Sequence, residues 1–322
     1  MKRQVMSLFL LSTISLNADQ IAFAVDNDFF VGKDGHFTNG ATFAWLEDNE
    51  QNGYTDFLID TLHKFSIELD KSKNYNAGVS LTQIIITPDD TTIVTPQYND
   101  IPYAGYLALS TYLIQSDSNS FIEYAFDLGI VGPASLAEST QDTFHAIIGN
   151  DKPAGWNTQL GTQLTANLLV NCGEISWEGK LGDDLDADWF NNAAVSLGNF
   201  NTSVLVGTAF RVGRNYVRNF NEHYPCLREE PTLVGVKNHK GFGYSFDTGI
   251  SGVGVAYNYI LNEAKDEGYQ TEKENFKMTG FIAADVYYDN HKLSFYYQGQ
   301  TPAIKEDNSN NYFGGFLYSY KF

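Results

Sequence analysis

The 322-residue chain is short of proline, cysteine and positive charge, with 8 Pro, 2 Cys, and 20 Lys+Arg against 39 Asp+Glu. The two cysteines, Cys172 and Cys226, suit an oxidising compartment but are too few for a disulfide framework. The deficit of basic residues excludes a nucleic-acid surface, and it repels anionic membranes unless divalent cations mediate. Beyond the N-terminus no apolar run approaches the roughly 18 residues that a membrane-spanning helix needs. No G-x-S-x-G elbow is present. No linker, low-complexity block or basic tail divides the chain.

What is present begins with MKRQVMSLFLLSTISLNADQ, in which Lys2 and Arg3 precede an uncharged, mostly apolar run from Val5 to Leu16 that ends near Ala18. This pattern is expected to be a secretory signal peptide over residues 1–18, leaving residues 19–322 as one exported domain. Removing it takes away two basic residues and no acids, so the charge falls from −19 to 18 − 39 = −21.

The chain also holds 28 Gly, 20 Tyr and 23 Phe, a composition that fits one large all-β domain. Polarity alternates with period two, as in strands with one wet and one dry face. In FIEYAFDLGI, Ile122, Tyr124, Phe126, Leu128 and Ile130 share one face, and Glu123, Ala125, Asp127 and Gly129 the other. QLTANLLV repeats the pattern, and FIAADVYYDNHKLSFYYQG adds a hairpin about Asp289 and Asn290. The last strand places Tyr312, Phe316, Tyr318, Tyr320 and the terminal Phe322 on a single face. That ending resembles the signal by which outer-membrane barrels engage the barrel assembly machinery, and the aromatic face fits an interfacial girdle.

The expected fold is an antiparallel transmembrane β-barrel of about twelve to fourteen strands, with polar side chains lining the lumen and apolar ones facing lipid. Short turns at Ser116–Ser120 and Asp289–Asn290 mark one end. Long loops, including Asn215–Lys240, are expected at the other. On this reading Cys172 closes a strand near the short-turn end and Cys226 lies at the outer end, about 25 Å away. A disulfide needs Cα atoms within about 7 Å, so no bridge is expected.

One segment, VGPASLAESTQDTFHAIIGNDKPAGW, is helical in pattern. Ser135 and Glu138 read as a capping box, and Gly149 stands where a helix ends in a left-handed residue. Gln141 and His145 are four apart and share a face. A histidine so placed is either a packed structural residue or a proton-transfer group, and its position alone leaves both open. At the outer end of the first strand, Asp26, Asn27 and Asp28 gather oxygens level with Thr38 and Asn39. Such oxygens suit a hard cation such as calcium, and a solvated acidic rim fits them equally well.

Together, N-D-F-F and H-F-T-N-G, D-I-P-Y-A-G-Y at Asp100–Tyr106, G-x-x-G-P at Gly129–Pro133, Q-x-x-x-H at Gln141–His145 and G-W at Gly155–Trp156 resemble the outer-membrane lipid A 3'-O-deacylases. The resemblance is specific from Val25 to Trp156 and looser beyond. It implies a twelve-stranded barrel in the bacterial outer membrane with its active site at the outer leaflet, between the wall and a loop helix. It implies calcium as cofactor and lipid A, within lipopolysaccharide, as substrate. His145 would be the general base, Gln141 its support, and Asp151 the acid at a position where relatives usually carry Glu. Asn27 and Asp28 would hold the metal, with Asn27 and Thr38 shaping the substrate and oxyanion site. An imidazole can take a proton from water at neutral pH while a bound cation stabilises the oxyanion.

Two departures stand out: Ile101 occupies a position where relatives commonly have Arg, and the loop from Ile86 to Tyr103 carries no Lys or Arg. A nucleophile at Ser135 or Ser139, an outer-membrane phospholipase and a passive porin are the rival readings.

Overall fold

In the computed structural model, which describes residues 20–28, 36–48, 53–218 and 239–322, the alternating segments become twelve antiparallel strands closed into one barrel. They are β1 Gln20–Asn27, β2 His36–Asp48, β3 Asn74–Thr87, β4 Ala104–Ser116, β5 Ser120–Val131, β6 Gln163–Leu181, β7 Leu185–Gly198, β8 Asn201–Arg214, β9 Phe242–Asn258, β10 Phe276–Tyr288, β11 His291–Gln300 and β12 Asn311–Lys321. Each strand pairs with its neighbour in sequence, and β1 pairs with β12 from Gln20↔Lys321 to Asn27↔Gly314, so no edge is left open. The expected signal peptide and Cys226 lie outside the described residues.

The two faces separate as the alternation demands. Phe126 and Leu128 on β5, Leu164 and Leu168 on β6, and Ile282 and Phe295 on the β10–β11 hairpin are all exposed on the outside. Inside, Asp188 pairs with Arg211 at 2.9 Å and Asp285 with Lys292 at 2.7 Å, all four fully or almost fully buried. Tyr216 and Tyr287 donate their hydroxyls to Asp188 and Asp285 at 2.7 and 3.0 Å. Charges buried this way are paired because an unpaired one would cost several kcal/mol, on the order of a domain's net stability. At the other end of the lumen α3 (Tyr259–Asp266), capped by Asn258 through Leu261 N–H at 3.1 Å, lays Tyr259 and Ile260 against Tyr106, Ile84, Ile86 and Phe200. Among the described residues, side chains thus project into the lumen at both of its ends.

Strand parity fixes which connections share an end, and it overturns part of the loop reading. The termini, the turns after β4, β6 and β10, and the Asn215–Lys240 connection all lie at one end. Asn215 Nδ2 bonds the Lys240 carbonyl at 3.1 Å, and His239 Nδ1 lies 3.1 Å from the Asp289 carbonyl in the β10–β11 turn. Length had suggested the opposite end for this segment. Cys172 also differs from expectation: it lies mid-strand on β6, opposite Ala193, exposed and unbridged.

Two helices were not anticipated, α3 and α1 (Gly53–Lys64), the latter in the β2–β3 connection at the termini end. Leu58, Ile59 and Leu62 of YTDFLIDTLHKF carry the helical spacing that could have revealed α1.

Candidate active site

Motifs scattered over the first half of the chain converge on the outside of the wall, at the end opposite the termini. Register places Asn27 of β1 opposite Asn39 of β2, Asn39 opposite Ile85 of β3, and Ile85 opposite Gly105 of β4. By alternation with the exposed Phe23, Phe43, Leu81 and Leu109, this row faces outward. At about 4.8 Å per strand, Asn27 stands roughly 10 Å from Ile85. Asp26, one residue before, turns inward and accepts a hydrogen bond from Tyr296 in the lumen.

Over the Ile85–Gly105 end of the row sits α2 (Ala137–Ile148). The chain enters it through Gly132, whose φ of 86° suits glycine and whose added Cβ would lie 2.6 Å from the Gly161 carbonyl oxygen. The expected capping box does not form. Leu136 is the N-cap residue, left-handed at φ 63°, without a side-chain cap bond. Ser135 belongs instead to a tight turn, Pro133–Ser135, and its carbonyl accepts from Gln83 Nε2 at 2.7 Å, pinning the helix entrance to β3. Gly105 makes the close approach possible, since a Cβ there would fall 2.1 Å from Ser135 Oγ and 2.3 Å from Ala137 Cβ. The helix ends as expected at Gly149, with φ 79°.

Gln141 and His145 are both buried, at 2% and 5% exposure, one turn apart on α2. His145 Nδ1 lies 2.6 Å from the backbone carbonyl of Asp151. A carbonyl only accepts, so Nδ1 carries the proton and the neutral ring keeps its lone pair on Nε2. The group in contact with Nδ1 is thus the Asp151 main chain, and the Asp151 side chain is exposed. Gln141 is oriented in the same manner. Trp156 Nε1–H donates to Gln141 Oε1 at 2.7 Å, and an indole N–H can only donate. The amide must then present Nε2 as its donor, and among the described residues that buried nitrogen has no partner. A buried donor left unsatisfied costs about 1–3 kcal/mol, so this nitrogen is suited to an oxygen acceptor from water or a ligand.

Trp156 is itself held by Tyr103, with ring centroids 5.1 Å apart, in a buried cluster with Ile85 and Ala137. The D-I-P-Y-A-G and G-W motifs therefore build the seat of the helix. These supporting roles of Tyr103, Gly105 and Trp156 were not assigned from sequence, although the motifs containing them were singled out. Ile101 lines a cavity of about 150 Å³ inside the barrel mouth, where Ile84, Ile86 and Val255 meet Asn201, Lys277 and Gln300.

At the β1 end of the row, Asn27 and Asp28 are buried. Thr38 occupies a β-bulge: Phe37 pairs with Ile86 and Asn39 with Ile85, leaving Thr38 as the extra residue. Bulges commonly re-aim a strand next to a site. Among the described residues no three His, Cys, Asp or Glu side chains gather to hold a metal. The oxygen-bearing side chains at this end of the row are those of Asn27 and Asp28, the donor type that a hard cation prefers.

A closed barrel with an apolar exterior is an integral membrane β-barrel, here with a His–Gln pair buried on a helix packed against the outside of its wall. The family described as "Outer membrane protein LpxR" matches residues 5–322, and the chain belongs to this family of bacterial outer-membrane proteins. Among solved structures, LpxR from Salmonella typhimurium aligns with a TM-score of 0.77 at 14% identity, covering 94% of this chain and 100% of that one. The β domain of the Bordetella autotransporter BrkA aligns more loosely, with a TM-score of 0.48 at 10% identity over 95% of this chain and 99% of that one. No curated protein matches at the level of sequence.

Proposed function

We propose that the protein is a lipid A deacylase that hydrolyses the ester of the 3'-linked acyloxyacyl group in the outer leaflet. The observation that carries this reading is the buried pair on α2: a histidine whose Nε2 is left as proton acceptor, one turn from an amide whose N–H has no partner among the described residues. Their place on the lipid side of the wall suits a substrate whose acyl chains lie in the membrane.

In this mechanism His145 Nε2 takes a proton from water as the water oxygen bonds to the ester carbonyl carbon. Gln141 Nε2–H donates to the carbonyl oxygen as negative charge develops there. The bond between the carbonyl carbon and the glucosamine 3'-oxygen then breaks, His145 passes its proton to that departing oxygen, and a carboxylic acid and a 3'-hydroxyl result. Asn27 and Asp28 would hold calcium, which when bound supplies Lewis-acid polarisation and offsets repulsion between phosphorylated lipid A and an acidic protein.

Mass spectrometry of lipid A from cells with and without the protein tests the reading. Loss of one acyloxyacyl unit from the 3' position is expected. A phospholipase would leave lipid A mass unchanged and produce lysophospholipid instead.

Two further outcomes follow. Activity should be abolished by a chelator of divalent ions and restored by calcium, with Asp28→Ala raising the calcium concentration required; full activity in chelator would remove the metal from the mechanism. Asp151→Asn should retain most activity, because Asp151 contributes its main-chain carbonyl, and a loss as deep as that of a His145 variant would return the role to the carboxylate.

A further inference from the structure

The outward positions of β3 and β4 are exposed in mid-barrel, Leu81 at 48% and Leu109 at 52%, yet buried at both ends. At the outer end α2 covers Ile85 and Gly105. At the termini end α1 covers Ala77 and Leu113, with Leu58, Ile59 and Leu62 packed into that cluster. Tyr54 fixes α1 to the wall through the Thr111 hydroxyl, and its ring lies 6.1 Å from that of Trp45. The chain leaving α1 is tied to the rim, where Asp70 N–H donates to Gln115 Oε1 at 3.1 Å and Lys73 Nζ lies 3.3 Å from Asp117.

The two helices thus bracket a bare apolar band on the same strands. Ala77 and Ile85 are eight residues apart on β3. At about 3.4 Å per residue and a tilt of about 40°, that is roughly 20 Å of height, close to the roughly 25 Å apolar band of outer-membrane barrels. If α2 lies at the outer-leaflet boundary, α1 lies at the boundary of the periplasmic leaflet. Elsewhere at this end the exterior carries exposed aromatics, with Trp177 opposite Trp189 and Phe242 opposite Tyr288. In the sector covered by α1, exposed Phe57 (60%) and Phe65 (74%) take their place. Asp56, Asp60 and Lys64 share the exposed side of the helix with Phe57, a mixed-sign face suited to zwitterionic headgroups.

We infer that α1 is an interfacial helix whose outer side, through Phe57 and Phe65, docks into the headgroup–acyl boundary of periplasmic-leaflet phospholipid. It continues the aromatic collar across β3–β5 and fixes the height of the barrel, and with it the level of α2. This inference does not depend on the chemistry proposed for His145.

The test is nitroxide labelling of the full chain in a Cys172→Ser, Cys226→Ser background, reconstituted in phosphatidylcholine vesicles. Labels are placed at Phe57→Cys, at Leu109→Cys as the lipid reference, and at Ser118→Cys in the exposed β4–β5 turn as the aqueous reference. Folding of each variant is checked by heat-modifiable gel migration. The label at 57 should collide with oxygen severalfold more, relative to a water-soluble nickel chelate, than the label at 118. A label at 57 matching 118 overturns the inference, whether the face then meets water or a periplasmic protein. As an independent measurement, Phe57→Asp with Phe65→Asp should slow insertion of the unfolded chain into the same vesicles severalfold, and an unchanged rate would count equally against it.

Discussion

His145→Ala is expected to leave the folded barrel heat-resistant on a semi-native gel while lowering lipid A deacylation by at least about 10²-fold, the usual loss on removing a general base. The two effects separate because α2 sits outside a barrel closed by its own strand pairing, and the substitution removes one hydrogen bond, that to the Asp151 carbonyl. The rival serine nucleophiles are engaged elsewhere. Ser135 is fully buried beneath the helix entrance, and the Ser139 hydroxyl donates to the Leu136 carbonyl at 2.9 Å. Ser135→Ala and Ser139→Ala should therefore remain active. Near-normal activity of His145→Ala, with loss in either serine variant, would falsify water-based chemistry at this site.

Gly105→Ala should be almost as damaging, although residue 105 bears no chemical group. A Cβ at 2.1 Å from Ser135 Oγ and 2.3 Å from Ala137 Cβ forces the helix entrance off the wall by more than an ångström. Displacing a catalytic group by about 1 Å can cost about 10²-fold in rate. Gly280→Ala is the control, because the nearest atom to a Cβ there is the Gly249 carbonyl oxygen at 3.6 Å. Deacylation should collapse in the first variant and persist in the second, with both barrels folded. Wild-type activity in Gly105→Ala would mean that the seating of α2 does not control the site.

The spacing of Gln141 and His145, and the left-handed stop at Gly149, were readable because they are local: four residues make one helical turn, and glycine tolerates positive φ. What holds the two side chains was not. The partner of Gln141 is fifteen residues away and that of His145 is a main-chain carbonyl, which no side-chain pattern advertises. The capping box failed for a related reason. S-x-x-E predicts a local bond, but the turn Pro133–Ser135 gives the serine to the wall, with Gln83 taking its carbonyl.

By itself the sequence determined the barrel and its two faces. Period-two alternation carries that information residue by residue, since a strand has only two sides and lipid accepts only one kind of side chain. Tertiary structure alone decided which end each loop occupies, because that depends on counting every strand before it. For the same reason length misplaced Asn215–Lys240. Tertiary structure also decided that Asp26 faces Tyr296 in the lumen while its neighbour Asn27 lies in the outer row that leads to α2. A polar cluster contiguous in sequence is divided by the wall, since alternate residues of a strand point to opposite sides.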